Sequence, residues 1–268
     1  MEFNPHELET LTKKVGDTAL KAGKFILSER EKFSTKKVEV KGHNDFVSYV
    51  DKGAEKLIID DLKSILPVAG FIAEEETEQQ DENPLKWIID PLDGTTNFIH
   101  GMPLYAVSIA LVYDKNPIIG VIYEVNQSEM FSSWKNGGSF LNGKPIRVSE
   151  AVTVKDSLLG TGFPYYDYYL LDQYLALFKH LMQHSHGIRR PGSAATDLAY
   201  VAAGRFDGFY EYSLSPWDVA AGVLLVREAG GIVTDFSGGD DAIFTKEIIA
   251  TNANIYTEFS ELLRSFMK

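Results

Sequence analysis

The sequence predicts a two-part α/β protein, and three features of the chain support that fold class. A helical pattern opens the chain, and strand-like segments follow it to about residue 140. After about residue 150, strands and helices alternate. No long linker, low-complexity tract or internal repeat separates the two regions, which indicates a tight junction. We therefore expect an α+β part over residues 1–150 and an α/β part over residues 151–268, with functional residues from both meeting at the junction.

The N-terminal region begins with a helix signal. Residues 4–7, NPHE, combine a capping side chain, a proline in the first turn and a glutamate that reaches back. Apolar residues then recur at helical spacing, which predicts one amphipathic helix over residues 5–31. Short strands are expected at 38–40 and 46–50, before a second helix that Pro67 closes.

The remaining elements follow from apolar alternation and turn residues. Between residues 69 and 140 the expected strands are GFIA, WIID, YAVSIALVY, PIIGVIY and EMFSSW. Later in the chain the expected strands are SLLGTGF, GFYE, GGIVTDF and EIIAT. The expected helices cover 170–183 and begin near Ser193, Pro216 and Tyr256.

Composition limits the classes of partner. Hydrophobic residues make up 44% of the 268 residues, without an apolar stretch near twenty residues, so we expect no membrane association and no secretory signal. The chain has no cysteine, which excludes disulfides and thiolate zinc sites and permits the cytoplasmic location that we expect. The net charge of −12 argues against nucleic acid as a partner. An anionic substrate would need cations between itself and the protein.

The segment WIIDPLDGTTNF, residues 87–98, carries the clearest chemical signal. Its apolar start predicts a buried strand, and a short turn can direct the carboxylates of Asp90 and Asp93 and the carbonyl of Leu92 toward one point. Oxygen donors of this kind suit Mg²⁺, Mn²⁺ or Ca²⁺, whereas zinc and copper sites usually recruit histidine or cysteine. An ordinary capped turn explains most isolated D-x-x-D-G segments, so this motif needs support from elsewhere in the chain.

The residues after Asp93 favour an anion. Gly94 lets the backbone turn sharply. The amides of Gly94, Thr95 and Thr96 can then point outward at a helix start, an arrangement that favours phosphate.

Three further acidic features of the sequence support a metal site. Glu74 and Glu75 directly follow the strand GFI, Asp218 lies in the first turn of a helix, and Asp51 starts the second helix. Each has an alternative structural explanation, either as part of a solvated loop or as a helix cap. Their joint occurrence with Asp90 and Asp93 favours a shared site.

With these motifs the chain resembles the inositol monophosphatases, of the superfamily that includes fructose-1,6-bisphosphatase and the 3′-phosphoadenosine phosphatases. WIIDPLDGTTNFIHGMP at 87–103 resembles the first family signature, and PWDVAAGVLLVREAGG at 216–231 resembles the second. The sequence AEE at 73–75 stands where the family usually has Gly-Glu-Glu. Segments 187–211 and 160–165 look especially like the bacterial inositol-1-monophosphatases.

The resemblance implies a layered α/β/α/β/α sandwich, two to three Mg²⁺ ions per active site, lithium sensitivity and a homodimer. The implied metal ligands are Glu74, Asp90, Leu92 through its carbonyl, Asp93 and Asp218. The implied catalytic residues are Glu74, Asp51 and Thr95, with Thr95 hydrogen-bonded to Asp51 and helping to deprotonate the attacking water. The implied substrate contacts are Asp93, Gly94, Thr95, Gly192, Ser193, Ala194, Glu211 and Asp218.

The function that the resemblance implies is hydrolysis of a phosphate monoester, most simply myo-inositol monophosphate, by a metal-activated water. Alternative substrates are fructose-1,6-bisphosphate, a nucleotide 3′-phosphate such as 3′-phosphoadenosine phosphate, or histidinol phosphate. A different class of alternative is a regulatory binding protein on the same fold. The histidines at 43, 100, 180, 184 and 186 are scattered along the sequence, and we expect His100 to be a packing or surface residue. We expect the aromatic run 164–169 to serve an interface or loop packing.

Overall fold

The computed structural model of the protein describes residues 3–32, 38–42, 45–75, 83–164 and 167–267. Within these ranges the helices are α1 (Pro5–Arg30), α2 (Tyr49–Ile65), α3 (Thr95–His100), α4 (Leu171–His184), α5 (Ala194–Ala202), α6 (Pro216–Glu228) and α7 (Tyr256–Phe266). The strands are β1 (Val38–Gly42), β2 (Asp45–Ser48), β3 (Gly70–Ala73), β4 (Leu85–Asp93), β5 (Ala106–Tyr113), β6 (Asn116–Glu124), β7 (Glu129–Trp134), β8 (Gly138–Leu141), β9 (Lys144–Ile146), β10 (Leu158–Thr161), β11 (Gly187–Arg189), β12 (Gly208–Tyr212), β13 (Ile232–Thr234) and β14 (Glu247–Thr251).

Helix α1 forms where its sequence signals place it. The Asn4 side chain accepts a hydrogen bond from the Glu7 backbone N–H at 3.0 Å, and the Glu7 carboxylate accepts one from the Asn4 N–H at 2.8 Å. This reciprocal pair satisfies two amides that have no partner inside the helix. The buried face of α1 carries Val15, Ala19 and Ile26, which pack with α2 against the first sheet.

The first sheet has seven strands in the order β3-β4-β5-β6-β7-β8-β9. Strands β3 and β4 are parallel, and every later neighbour is antiparallel. Strand β4 has buried side chains on both faces: Trp87 and Ile89 pack toward α1 and α2, and Ile88 packs toward α5 and α6. The strand that leads to the paired aspartates is therefore held between two cores.

The second sheet has five strands in the order β11-β10-β12-β14-β13. Helices α5 and α6 fill the space between the two sheets, and α4 and α7 cover the outer face of the second sheet. The layers are therefore helix, sheet, helix, sheet and helix, as the resemblance implied, and the fold-class prediction is confirmed. The division at residue 150 stays a prediction.

Strands β8 and β9 form a hairpin that the sequence reading did not predict. They are joined by Asn142-Gly143, with φ angles of 49° and 75°, the backbone that a tight hairpin turn requires. The turn signal was present, but the strands are only four and three residues long, too short for a clear alternation pattern.

Among the described residues, no helix combines the length and apolar character needed to cross a membrane.

Candidate metal and substrate site

The two aspartates at the end of β4 reach the same side of the sheet because the strand is irregular there. Asp90 pairs with Ser108 of β5, and Asp93 pairs with Ala106. The chain therefore advances three residues along β4 where it advances only two along β5, so β4 has one extra residue. Side chains alternate between faces along a regular strand, and one extra residue reverses the alternation. The Leu92 N–H donates to Asp90 Oδ1 at 2.9 Å, which stabilises the turned backbone.

Asp218 joins them from the first turn of α6. Its Oδ2 accepts a hydrogen bond from the Ser215 backbone N–H at 2.7 Å, so its capping role and its place in the site are compatible. One carboxylate oxygen from each of Asp90, Asp93 and Asp218 lies within 4.8 Å of the other two. This convergence brings the two halves of the chain to one point.

Asp93 is fixed from the second half of the chain. Its Oδ2 accepts hydrogen bonds from the Ser193 hydroxyl at 2.5 Å and from the Ala195 backbone N–H at 2.8 Å. Ser193 is the N-cap of α5, where it also accepts from the Thr196 N–H at 3.3 Å. Ser193 was predicted as a substrate contact, and the structure places its hydroxyl within hydrogen-bond distance of Asp93 Oδ2 and of the Thr196 hydroxyl, at 2.5 and 2.8 Å.

Glu74 approaches the cluster from the end of β3. Its N–H donates to the Ile89 carbonyl at 3.3 Å, and its carboxylate is close enough to Asp90 to help raise the pKa of that acid. The next amide, of Glu75, donates at 2.8 Å to Oε2 of Glu55, which is fully buried on α2. Glu55 was missed by sequence reading, although it lies four residues after Asp51 on the same helix face.

Thr95 lies between Asp51 and the end of β4. Its hydroxyl oxygen is 2.9 Å from Asp51 Oδ1 and 2.9 Å from the Leu92 carbonyl oxygen, so its single proton can serve one acceptor at a time. Asp51 is fully buried.

Gly94, with φ 95°, caps α3, and an added side-chain carbon there would be 3.2 Å from the Gly192 carbonyl oxygen. Only glycine suits both this backbone angle and this contact.

One cavity of about 290 Å³ is lined by Glu74, Asp90, Asp93, Gly94, Thr95 and Asp218, whereas Asp51 is not among its lining residues. Its far wall comes from the second half of the chain and includes the predicted contacts Gly192, Ser193, Ala194 and Glu211. The lining residues that were not predicted include Gly162, Phe163, Arg190 and Asp197. An added side-chain carbon at Gly162 would overlap the Glu211 carboxylate, so the glycine makes room for that acid.

Burial raises the pKa of each acid in the cluster, and repulsion between carboxylates adds to the shift for Asp90 and Asp218. Burial raises the pKa of Asp90 well above its usual range, and the neighbouring Glu74, Asp93 and Asp218 add to the effect. Burial raises the pKa of Asp93 to about 6, although hydrogen bonds from Ser193 and Ala195 oppose the shift. Burial, with Asp93 as its charged neighbour, raises the pKa of Asp218 to about 7. The cluster therefore concentrates negative charge that the folded chain alone does not stabilise.

The donor set fits a hard divalent cation. All three converging groups offer carboxylate oxygen, the ligand that Mg²⁺, Mn²⁺ and Ca²⁺ prefer. A cation bound among them would reverse the repulsion that raises their pKa values.

Other predicted positions lie away from this site or outside the described residues. His100 is exposed at the end of α3, and His180 and His184 stack on each other on α4. Tyr169, in the aromatic run, is 86% exposed. His43, Tyr165 and Tyr166 lie outside the described residues.

Comparison with known proteins agrees with the fold and the site. The family model described as "Inositol monophosphatase family" matches residues 7–267. The chain is 43% identical to an inositol-1-monophosphatase of Mesorhizobium japonicum over 235 residues, 87% of this chain and 88% of that protein. It is also 43% identical to Nus factor SuhB of Escherichia coli over 255 residues, 92% of this chain and 96% of that protein.

A solved structure gives the same result in three dimensions. The extragenic suppressor protein suhB of Bartonella henselae superposes with a TM-score of 0.90 at 41% identity, covering 95% of this chain and 98% of that one. The chain belongs to the inositol monophosphatase family.

Proposed function

We propose that this protein hydrolyses myo-inositol monophosphate to myo-inositol and inorganic phosphate with Mg²⁺ as its cofactor. The supporting observation is the convergence of Asp90, Asp93 and Asp218 within 4.8 Å in a cavity whose far wall carries Glu211. Family membership supports phosphatase activity. The oxygen-only donor set favours Mg²⁺, and the carboxylate of Glu211 suits a leaving group that carries hydroxyls.

In this proposal two overlapping groups of residues would hold the ions. The first group would be Glu74, Asp90 and the Leu92 carbonyl. The second group would be Asp90, Asp93 and Asp218, and Glu74 would also help to hold a third ion. When bound, such ions neutralise the charge of a phosphate ester and lower the pKa of a water molecule.

Thr95 and Asp51 supply the route for the proton. The Thr95 hydroxyl accepts a proton from the attacking water as it donates its own to Asp51 Oδ1, 2.9 Å away. The hydroxide that results attacks phosphorus in line with the departing alcohol oxygen, the bond between phosphorus and that oxygen breaks, and the oxygen takes up a proton from solvent to leave as the free alcohol. Phosphoryl transfer depends mainly on positioning and charge stabilisation, so the protein needs no covalent nucleophile.

The substrate lies across both halves of the cavity. The backbone amides of Gly94 and Thr95 bind the phosphate oxygens. Asp93 and Asp218 face the ester, and the far wall contacts the polyol through Gly192, Ser193, Ala194 and Glu211.

A substrate panel tests this proposal. With Mg²⁺ we expect kcat/KM for myo-inositol 1-phosphate to exceed the values for fructose-1,6-bisphosphate, 3′-phosphoadenosine 5′-phosphate and histidinol phosphate, and we expect lithium to inhibit. A hundredfold preference for another phosphoester would overturn the inositol assignment. Absence of hydrolysis across the panel, with both Mg²⁺ and Mn²⁺, would overturn the phosphatase itself.

The name of one relative favours a second candidate, a regulatory binding role. Nus factor SuhB of Escherichia coli is 43% identical to this chain. Such a role could coexist with hydrolysis, because a partner would bind an outer surface and leave the cavity free. Its test is capture of partner proteins by wild type and by an inactive Asp93→Asn variant, and equal capture by both would support it.

We also propose a homodimer, as the resemblance implies, and a cytoplasmic location, which a chain without cysteine permits. Light scattering coupled to size-exclusion chromatography measures the mass of the protein in solution, and we expect twice the chain mass of 29.9 kDa.

A further inference from the structure

Asn97 is a buried amide to which neither the motifs nor the resemblance assigns a role. It lies on α3 and is 7% exposed. Its Nδ2 donates hydrogen bonds to the Leu104 carbonyl at 2.8 Å and to the Pro191 carbonyl at 2.9 Å, and the Gly192 carbonyl lies farther away at 3.5 Å. A side-chain amide has two N–H protons, so the two shorter bonds use both of them.

The two carbonyls belong to different halves of the chain. Leu104 lies between α3 and β5, whereas Pro191 lies between β11 and α5. Both hydrogen bonds are partly buried, and a carbonyl that is shielded from water is costly to leave without a donor. Asn97 therefore serves both sides of the junction with one side chain, and replacing its amide would remove a donor from each side.

The backbones of the two halves lie against each other at this point. Gly94 and Gly192 both have positive φ angles, 95° and 97°. A side-chain carbon added at Gly94 would be 3.1 Å from the Leu104 carbonyl oxygen and 3.2 Å from that of Gly192. One added at Gly192 would be 3.0 Å from Asn97 Nδ2. The 191–192 backbone therefore packs directly against the Asn97 amide, with no side chain between them.

The segment that accepts this hydrogen bond leads directly to the groups that fix Asp93. The Ser193 hydroxyl and the Ala195 N–H, just after Pro191 in the chain, donate to Asp93 Oδ2 at 2.5 and 2.8 Å. Asp93 itself lies just before Asn97, at the end of β4. The end of β4 with α3 and the segment 191–195 are therefore joined twice, once through Asn97 and once through Asp93. A shift of the segment at Pro191 would move the donors of Asp93.

We propose that Asn97 is a positioning residue that holds the segment 191–195 in place, so that Ser193 and Ala195 orient the Asp93 carboxylate. Asn97 contacts neither metal nor substrate and acts through the Pro191 carbonyl. The kinetic consequence rests on the proposed phosphatase function. The contact across the junction can be measured without substrate or metal.

The direct test is amide hydrogen exchange, followed by nuclear magnetic resonance, in wild type and in Asn97→Ala without metal. The Ala195 N–H lies in the first turn of α5, where amides have no partner within the helix, so its protection depends on its bond to Asp93. We expect the Ala195 amide to exchange at least tenfold faster in the variant. The reference is the Val154 amide, which donates to the distant carboxylate of Glu258 at 2.9 Å and should stay within twofold of wild type.

Steady-state kinetics separate positioning from a general loss of stability. In Asn97→Ala we expect the KM for myo-inositol 1-phosphate and the Mg²⁺ concentration for half-maximal activity each to rise at least fivefold, because Asp93 and the segment 191–195 are less well placed. At saturating Mg²⁺ and substrate, kcat should stay within threefold of wild type. Asn254→Ala, the same substitution at an exposed position between β14 and α7, is the matched control and should change none of these values.

If Asn97→Ala does not fold, Asn97→Asp gives the same exchange comparison, because it keeps the shape of the side chain and its ionised form cannot donate. Equal changes at the Ala195 and Val154 amides, or no change at either, would show that Asn97 does not hold the segment, and the phosphatase proposal would stand. If wild type hydrolyses no phosphoester, the phosphatase proposal fails and the exchange comparison alone decides the positioning role.

Discussion

Asp90→Asn is expected to lower kcat for phosphate ester hydrolysis on the order of a thousandfold or more. In the proposed arrangement Asp90 is the ligand shared by both metal groups, and its neighbours Glu74, Asp93 and Asp218 surround it. An amide carries no charge and cannot bridge two cations as a carboxylate does. The measurement is steady-state hydrolysis of myo-inositol 1-phosphate across a range of Mg²⁺ concentrations.

Asp60→Asn is the control for this variant, because it makes the same change in charge on the exposed face of α2. It should retain wild-type kcat. Far-ultraviolet circular dichroism should show that Asp90→Asn is folded, and its melting temperature without metal should equal or exceed that of wild type, since a buried repulsive charge has been removed. Activity within tenfold of wild type would show that Asp90 is not a shared ligand.

The second large effect concerns the pH dependence of stability without metal. Burial raises the pKa of Asp93 to about 6 and that of Asp218 to about 7, above the value of 3.8 that an unperturbed aspartate has. Between about pH 4 and pH 7 the folded protein therefore binds more protons than the unfolded chain, and its free energy of unfolding falls as pH rises through this range. The stability that these two groups contribute is fully present below about pH 4 and is lost by about pH 7, a change on the order of a few kcal/mol.

Bound Mg²⁺ should remove this loss, because it stabilises the ionised carboxylates. We therefore expect the difference in melting temperature between Mg²⁺ and chelator to widen from pH 5 to pH 8. The double variant Asp93→Asn with Asp218→Asn should show little pH dependence of that difference. A difference in wild type that stays constant across this range would contradict the proposed charge cluster.

Much of the site was predictable because its residues lie at the ends of well-marked elements. Asp90 and Asp93 follow a buried strand, and Asp218 follows a proline in a helix start, so each acid could be placed before its neighbours were known. The sequence did not show the irregular pairing between β4 and β5. The extra residue turns both aspartates to one face. It can be recognised only from the pairing of β4 with β5, which the sequence of β4 alone does not show.

Residues positioned by tertiary contacts were missed. Glu55 and Asp197 lie inside helices, where an acid in the sequence usually indicates a solvated face. Both are buried here because their helices pack against the ends of the sheets, α2 beside β4 and α5 between the two sheets. Periodicity locates a helix but does not reveal which of its polar side chains faces a cavity.

The central claim is that Asp90, Asp93 and Asp218 hold divalent cations, and anomalous scattering from crystals grown with Mn²⁺ tests it most directly. We expect anomalous peaks within about 2.0–2.6 Å of oxygens from all three carboxylates. A well-ordered crystal at saturating Mn²⁺ that shows no peak in the cavity, or a peak that none of the three carboxylates contacts, would contradict the account.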